Sequence, residues 1–216
     1  MHMNAKPRSP EETYGPALEK ARRELIRLDP VQAAVRAGAT YGALGPTHGR
    51  LLLPFFGTAC HVLWPAGTVQ RAADGQPVDI STQLILLHYL LAADGTPMAD
   101  QWIAFRNLPG ALGYDSAFQG RATLRLVQAF GTNKLAFETA ARALGGERLA
   151  FGNASFNFRV LPCLWLGVVL YLADDEFPAS ANVLFDASAS HYLPTEDLAV
   201  LGGILAGQLL RAGRAQ

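Results

Sequence analysis

The side chains best suited to acid–base or ligand chemistry in this chain are its histidines, and two of them stand in telling surroundings. His88 lies within "LILLHYLLAADG", on the face that helical spacing shares with Leu84, Leu87 and Leu91. A histidine on so apolar a face is either a core residue hydrogen-bonded to a carbonyl, an axial ligand to a metal or tetrapyrrole, or a general base. Tyr89 points about 100° away around the same helix. His191 stands in "LFDASASHYLPTED", residues 184–197, beside Tyr192. This stretch runs from an apolar strand end, where Asp186 falls, through Ser188 and Ser190 to the histidine, and then breaks at Pro194. Thr195, Glu196 and Asp197 read as a helix start, where caps and acidic residues suit the helix dipole. Asp186, serine and His191 invite a triad reading, but triads assemble from separate elements and no G-x-S-x-G elbow is present.

Other chemistries are excluded or weakened. Cys60 and Cys163 are far apart with no C-x-x-C, so they read as small buried hydrophobes and not as a disulfide framework. An iron–sulfur cluster needs about four thiolates, more than the chain holds. No H-E-x-x-H, P-loop or G-x-G-x-x-G occurs, and no metal site is expected. His61, beside Cys60, alternates with apolar neighbours in a strand-like run. Asp174, Asp175 and Glu176 read as a solvated turn. Trp64, Trp102 and Trp165 can supply the wall of a pocket.

Basic and acidic residues balance at 18 each, which argues against nucleic acid or a membrane surface as partner. Half the residues are hydrophobic, which suits a globular core. The longest apolar run, residues 161–173, is shorter than the roughly 18 residues of a membrane span. No secretory signal is visible, and a cytoplasmic protein is expected.

These residues need elements to hold them. Residues 10–29 read as a helix with Leu18, Ala21, Leu25 and Leu28 on one face, interrupted by Pro30 and followed by a short second helix. Residues 49–71 read as short strands that lie at an edge or end at Pro54 and Pro65. Residues 79–95 form a helix apolar nearly all round and hence buried. A strand over 101–109 precedes two helices over 115–144. The first carries the row Phe118, Ala122, Leu126 and Phe130; the second has Leu135, Ala136, Ala140 and Ala143 as its expected inner face. Three strands follow, the middle one central because it is apolar on both faces. A last helix runs from about Thr195 with Leu198, Leu201, Leu205 and Leu209 inward. Partly segregated strands and helices predict an α+β fold: one domain over 10–213 behind a flexible N-terminus, residues 1–9. Its sheet is mixed or mostly antiparallel, packed with a buried central helix and a C-terminal helix.

Along His88-Tyr89-Leu90-Leu91, the Asp94-Gly95-Thr96-Pro97 turn, Trp102 with Phe105-Arg106, Phe177-Pro178-Ala179, and Phe185-Asp186 through Asp197, the sequence resembles the uncharacterised bacterial family of the domain of unknown function DUF3786. The resemblance covers the second half well and the first third weakly. Members of that family are typical of anaerobes, and some are joined to an iron–sulfur domain of the kind found in corrinoid proteins. The resemblance therefore implies a setting of cofactors and low-potential chemistry, with an iron–sulfur or corrinoid protein as a conceivable partner.

Taken together, these readings lead to a protein that binds a cofactor or small ligand, with a tetrapyrrole such as a corrinoid or haem as candidate. His88 and His191 are the expected contacts, Asp186 the group that orients one of them, and Tyr192 and Trp102 further lining. The alternatives are a small acid–base enzyme using His191 and Asp186 as a proton-transfer pair, and a structural or partner-binding module. No catalytic residue is assigned.

Overall fold

The computed structural model describes residues 9–214. Apart from Ser9, the N-terminal segment expected to be flexible lies outside the described residues. The architecture is α+β, with two antiparallel sheets. The chain divides between Gly95 and Thr96 into two compact units.

In the first unit, helix α1 (Pro10–Leu25) starts in a capping box: the Glu12 N–H donates to Ser9 Oγ at 3.1 Å, and the Ser9 N–H donates to the Glu12 carboxylate at 2.8 Å. Its buried row is Leu18, Ala21 and Leu25. Asp29 caps helix α2 (Pro30–Ala37), and Pro30 takes the first helical position, where its missing N–H costs nothing. Gly38 ends α2 with φ 62°, a left-handed conformation that suits glycine. Strands β1 (Thr40–Ala43), β2 (Gly49–Phe55), β3 (Thr58–Trp64) and β4 (Thr68–Arg71) form a meander in that order. Leu51, Leu53, Phe55, Cys60, Val62 and Val69 are buried from it. The prolines behave as their chemistry requires, though not as an edge strand would. β2 is an interior strand, but its pairing with β1 stops at Leu52, so Pro54 meets no neighbour on its second side. β3 ends at Trp64, immediately before Pro65. Helix α3 (Ile80–Ala92), capped by Asp79, buries Leu84, Ile85, Leu86, Leu87, Tyr89 and Leu90 and packs against α1. Within it, the Tyr89 hydroxyl donates to the Ala37 carbonyl at 2.9 Å, a satisfied end for α2.

In the second unit, strand β5 (Trp102–Ala104) is shorter than the sequence suggests, because Phe105–Asn107 turn into a 3-10 helix ahead of Pro109. The first helix expected over 115–130 is not uniform: α4 (Asp115–Phe118) passes through a π-helical turn (Gln119–Thr123) into α5 (Leu124–Phe130). Phe118, Ala122, Leu126 and Phe130 are nonetheless all buried. In α6 (Lys134–Ala143) the inner face is set by Phe137 with Ala140 and Ala141; Leu135 and Ala143 are exposed. The larger apolar area of the phenyl ring turns the helix that way. Glu138 follows Phe137 inward and is met by Arg142 and Arg148 at 2.9 and 3.2 Å. Strands β6 (Glu147–Arg148), β7 (Ala154–Leu161), β8 (Leu164–Tyr171) and β9 (Ser180–Asp186) complete a sheet of order β5-β9-β8-β7-β6, with the doubly apolar β8 in its middle. A 3-10 turn (Ala187–His191) leads to helix α7 (Thr195–Arg214), whose Leu198, Leu201, Leu205 and Leu209 are fully buried. One face of this sheet, with Phe156, Phe158, Leu166, Val168, Val183 and Phe185, lies in the core. Phe105 stacks on Phe118 at 4.1 Å, and both rings reach Phe185 at 6.0 Å.

Among the described residues, no helix is long and apolar enough to cross a membrane. Cys60 is buried and Cys163 only half-buried, and the two do not form a disulfide. Burial pushes the Cys60 thiol above its ordinary pKa, against the pull of Arg71.

Candidate functional site

The cluster with the most chemistry lies where β9 ends. Alternation along β9 sends Val183 and Phe185 into the core and Leu184 and Asp186 to the other face. Asp186 is nevertheless only 2% exposed. Its Oδ1 accepts from the Ser188 N–H at 2.9 Å, the Ser188 hydroxyl at 2.6 Å and the Ala99 N–H at 2.9 Å. Desolvation raises the pKa of a buried carboxyl, but here the donors outweigh it and hold the group below the usual carboxylate range. Ser188, Ala99 and the Gln101 backbone N–H supply this stabilisation. Oδ2 is buried and accepts no hydrogen bond.

Asp186 thus joins three pieces of backbone: the end of β9, the 3-10 turn after it, and the segment before β5. The Ala187 N–H donates to the Gln101 carbonyl at 2.9 Å and continues the same pairing. A second tie runs through Thr96. The buried Tyr192 hydroxyl donates to the Thr96 carbonyl, and Thr96 Oγ1 shares a hydrogen bond with His191 Nδ1 at 3.2 Å. His191 is solvent-exposed, so its ring is oriented from the protein side. Thr195 Oγ1 donates to the Pro109 carbonyl at 2.6 Å, which anchors the start of α7 to the same region.

Trp102 sits opposite Asp186 in the β5–β9 register, half-buried. Its indole crosses to β8: a Cβ placed on Gly167 would lie 3.3 Å from the ring, a tight contact from which the indole would have to give by a few tenths of an ångström. Trp165 precedes Leu166, which pairs with Phe185, so Trp165 falls beside Asp186 from the β8 side. Arg159 pairs with Trp165 in register, its guanidinium 5.6 Å from the indole centroid and held by the Pro162 carbonyl at 3.0 and 2.7 Å. Across the sheet the row therefore reads Trp102, Asp186, Trp165, Arg159.

Of the residues selected from sequence, the structure brings Asp186 and Trp102 together by register, and His191 and Tyr192 together through Thr96. The bonds of Asp186 go to Ala99 and Ser188 and not to His191. His88 belongs to the first unit, half-buried on α3. His61 is half-buried on β3, and burial with the nearby Arg50 lowers its pKa. Sequence reasoning named Thr96 only within the turn that carries the family resemblance, and overlooked Ala99, Gly167 and the role of Trp165. Two of these act through register, and Ala99 acts through its backbone, which carries no side-chain signal. Among the described residues, no group of three or more histidine, cysteine or acidic side chains is placed to hold a metal ion.

Two antiparallel sheets with helices define an α+β protein, and its candidate site is the polar cluster in the loops around β9. The chain belongs to the family described as domain of unknown function (DUF3786), which matches residues 29–208. Neither a curated protein nor a solved structure matches it.

Proposed function

We propose that this protein binds a cofactor or small ligand beside the end of β9, with His191 as the contact that reaches out of the protein. The observation that carries this reading is the seating of His191. Its ring is exposed, and Nδ1 is held by the Thr96 hydroxyl at 3.2 Å. Thr96 is itself tied by Tyr192, and the following segment by Asp186. A ligating imidazole needs such a bond at one ring nitrogen to set its tautomer and direction. A tetrapyrrole, corrinoid or haem, is the candidate that fits a lone imidazole, because the macrocycle supplies the other four donors to the metal. Trp102 offers a half-buried flat wall. His88, half-buried on an apolar helix face, is the other imidazole with axial capacity.

The hydrogen bonds of Asp186 favour this reading over proton transfer by an Asp186–His191 pair. Its Oδ1 is taken by neutral donors that keep it ionised and in place, the task of an anchor. The test is to titrate purified protein with haemin and with cobalamin and record absorbance. The expected result is a saturable band shift with one of them, lost in His191→Ala and kept in Asn182→Ala. Absence of a shift with both, or an unchanged shift in His191→Ala, would overturn the proposal.

A further inference from the structure

Asp186 keeps its charge in a buried position through neutral donors alone. A buried ionised carboxylate ordinarily has a cation beside it, since taking a lone charge out of water costs several kcal/mol. Here the groups that stabilise the charge are neutral donors, and among the described residues Asp186 forms no ion pair and its buried Oδ2 accepts no hydrogen bond. The carboxylate is nonetheless flanked on the same sheet face by two indoles, Trp102 across β5 and Trp165 on the β8 side. Indole faces attract cations through their quadrupole. One of the two is already used in that way: the Arg159 guanidinium lies 5.6 Å from the Trp165 centroid. Trp102 has the same chemistry, and among the described residues no arginine or lysine lies over its ring. Its backbone pairs with that of Asp186 at one strand spacing, about 5 Å, and both side chains leave the same face of the sheet.

We infer that the face formed by Trp102 and Asp186 receives a planar organic cation, an amidinium or protonated ring, as the positive partner that Asp186 lacks. The cation stacks on the Trp102 indole, and the carboxylate beneath reinforces the attraction at low local dielectric. Gly167 lets the Trp102 indole lie close over β8. The inference uses the same end of the sheet as the proposed ligand site but not His191, so either can fail without the other.

The experiment compares benzamidinium with neutral benzamide, which has nearly the same shape. Binding is followed through the indole N–H resonances and the tryptophan fluorescence of the full chain. Benzamidinium is expected to shift the Trp102 resonance saturably and to bind about tenfold or more tightly than benzamide, a factor within the range of a desolvated cation–π contact. In Asp186→Asn that preference is expected to disappear, and in Trp102→Leu binding itself. No saturable shift in the wild type, or equal affinity for the two probes, overturns the inference whatever the variants do. A folded Asp186→Asn that retained the preference would overturn it as well. Haem or cobalamin binding plays no part in this readout, so the fate of the His191 reading is decided separately.

Discussion

Replacing Asp186 tests whether it is the anchor that holds the site. Asp186→Ala removes the acceptor of three hydrogen bonds, those from Ser188 N–H, Ser188 Oγ and Ala99 N–H. Ser188 is buried, so its donors would be stranded at about 1–2 kcal/mol each. Ala99 is exposed, and its N–H can turn to water at a cost of about 0.5 kcal/mol. Removal of an ionised group from a buried position returns part of this. The net expectation is a destabilisation of about 2–3 kcal/mol. Asp186→Asn keeps an acceptor in place of Oδ1 and loses the charge, so about 1–2 kcal/mol is expected. The pH dependence follows from the lowered pKa of the folded carboxyl. The ionised form stabilises the fold fully above the unfolded value of about 3.9, and the contribution is lost as pH falls through the lower folded value. The gap between wild type and Asp186→Asn should therefore be constant near neutrality and shrink below about pH 4. Urea unfolding at several pH values, followed by circular dichroism, measures it. A cost under about 0.5 kcal/mol for Asp186→Ala at pH 7, or an Asp186→Asn gap that persists unchanged at low pH, would refute the reasoning.

Two further substitutions probe the packing of each unit in turn. Gly202→Ala would place a Cβ 2.5 Å from the Phe118 ring, which is buried and stacked on Phe105, so overpacking should cost about 1–3 kcal/mol in urea unfolding with little change in secondary structure. Tyr89→Phe removes the donor to the Ala37 carbonyl and should lower stability by about 1–2 kcal/mol, with faster amide exchange in the last turn of α2.

Much of the fold was legible because it is written in local patterns. The capping sequence at Ser9, the Asp29-Pro30 helix start, the apolar α3 and the leucine row of α7 each need only neighbours in the chain to be read. The inner face of α6 was misjudged because leucine and alanine spacing was weighed without the volume of Phe137. The strand over 101–109 was drawn too long because nothing local marks where pairing with β9 stops. β1 was missed, since "TYGA" is polar and half-exposed and earns its place only by pairing with β2.

The site divides along the same line. Sequence by itself determined which residue types stand near the end of β9: an acid at the strand terminus, a histidine in the turn after it, and a helix start beyond. Only the tertiary structure decided what they do, because that depends on partners distant in the chain. Asp186 turned from a possible helper of His191 into the anchor of the segment at Ala99, and His191 took its orientation from Thr96, 95 residues earlier. Trp102 and Trp165 became neighbours of Asp186 through strand register, in which a shift of one residue would send each side chain to the opposite face. No spacing within a single element encodes that register; it is set by the buried faces of all the strands that must pack at once.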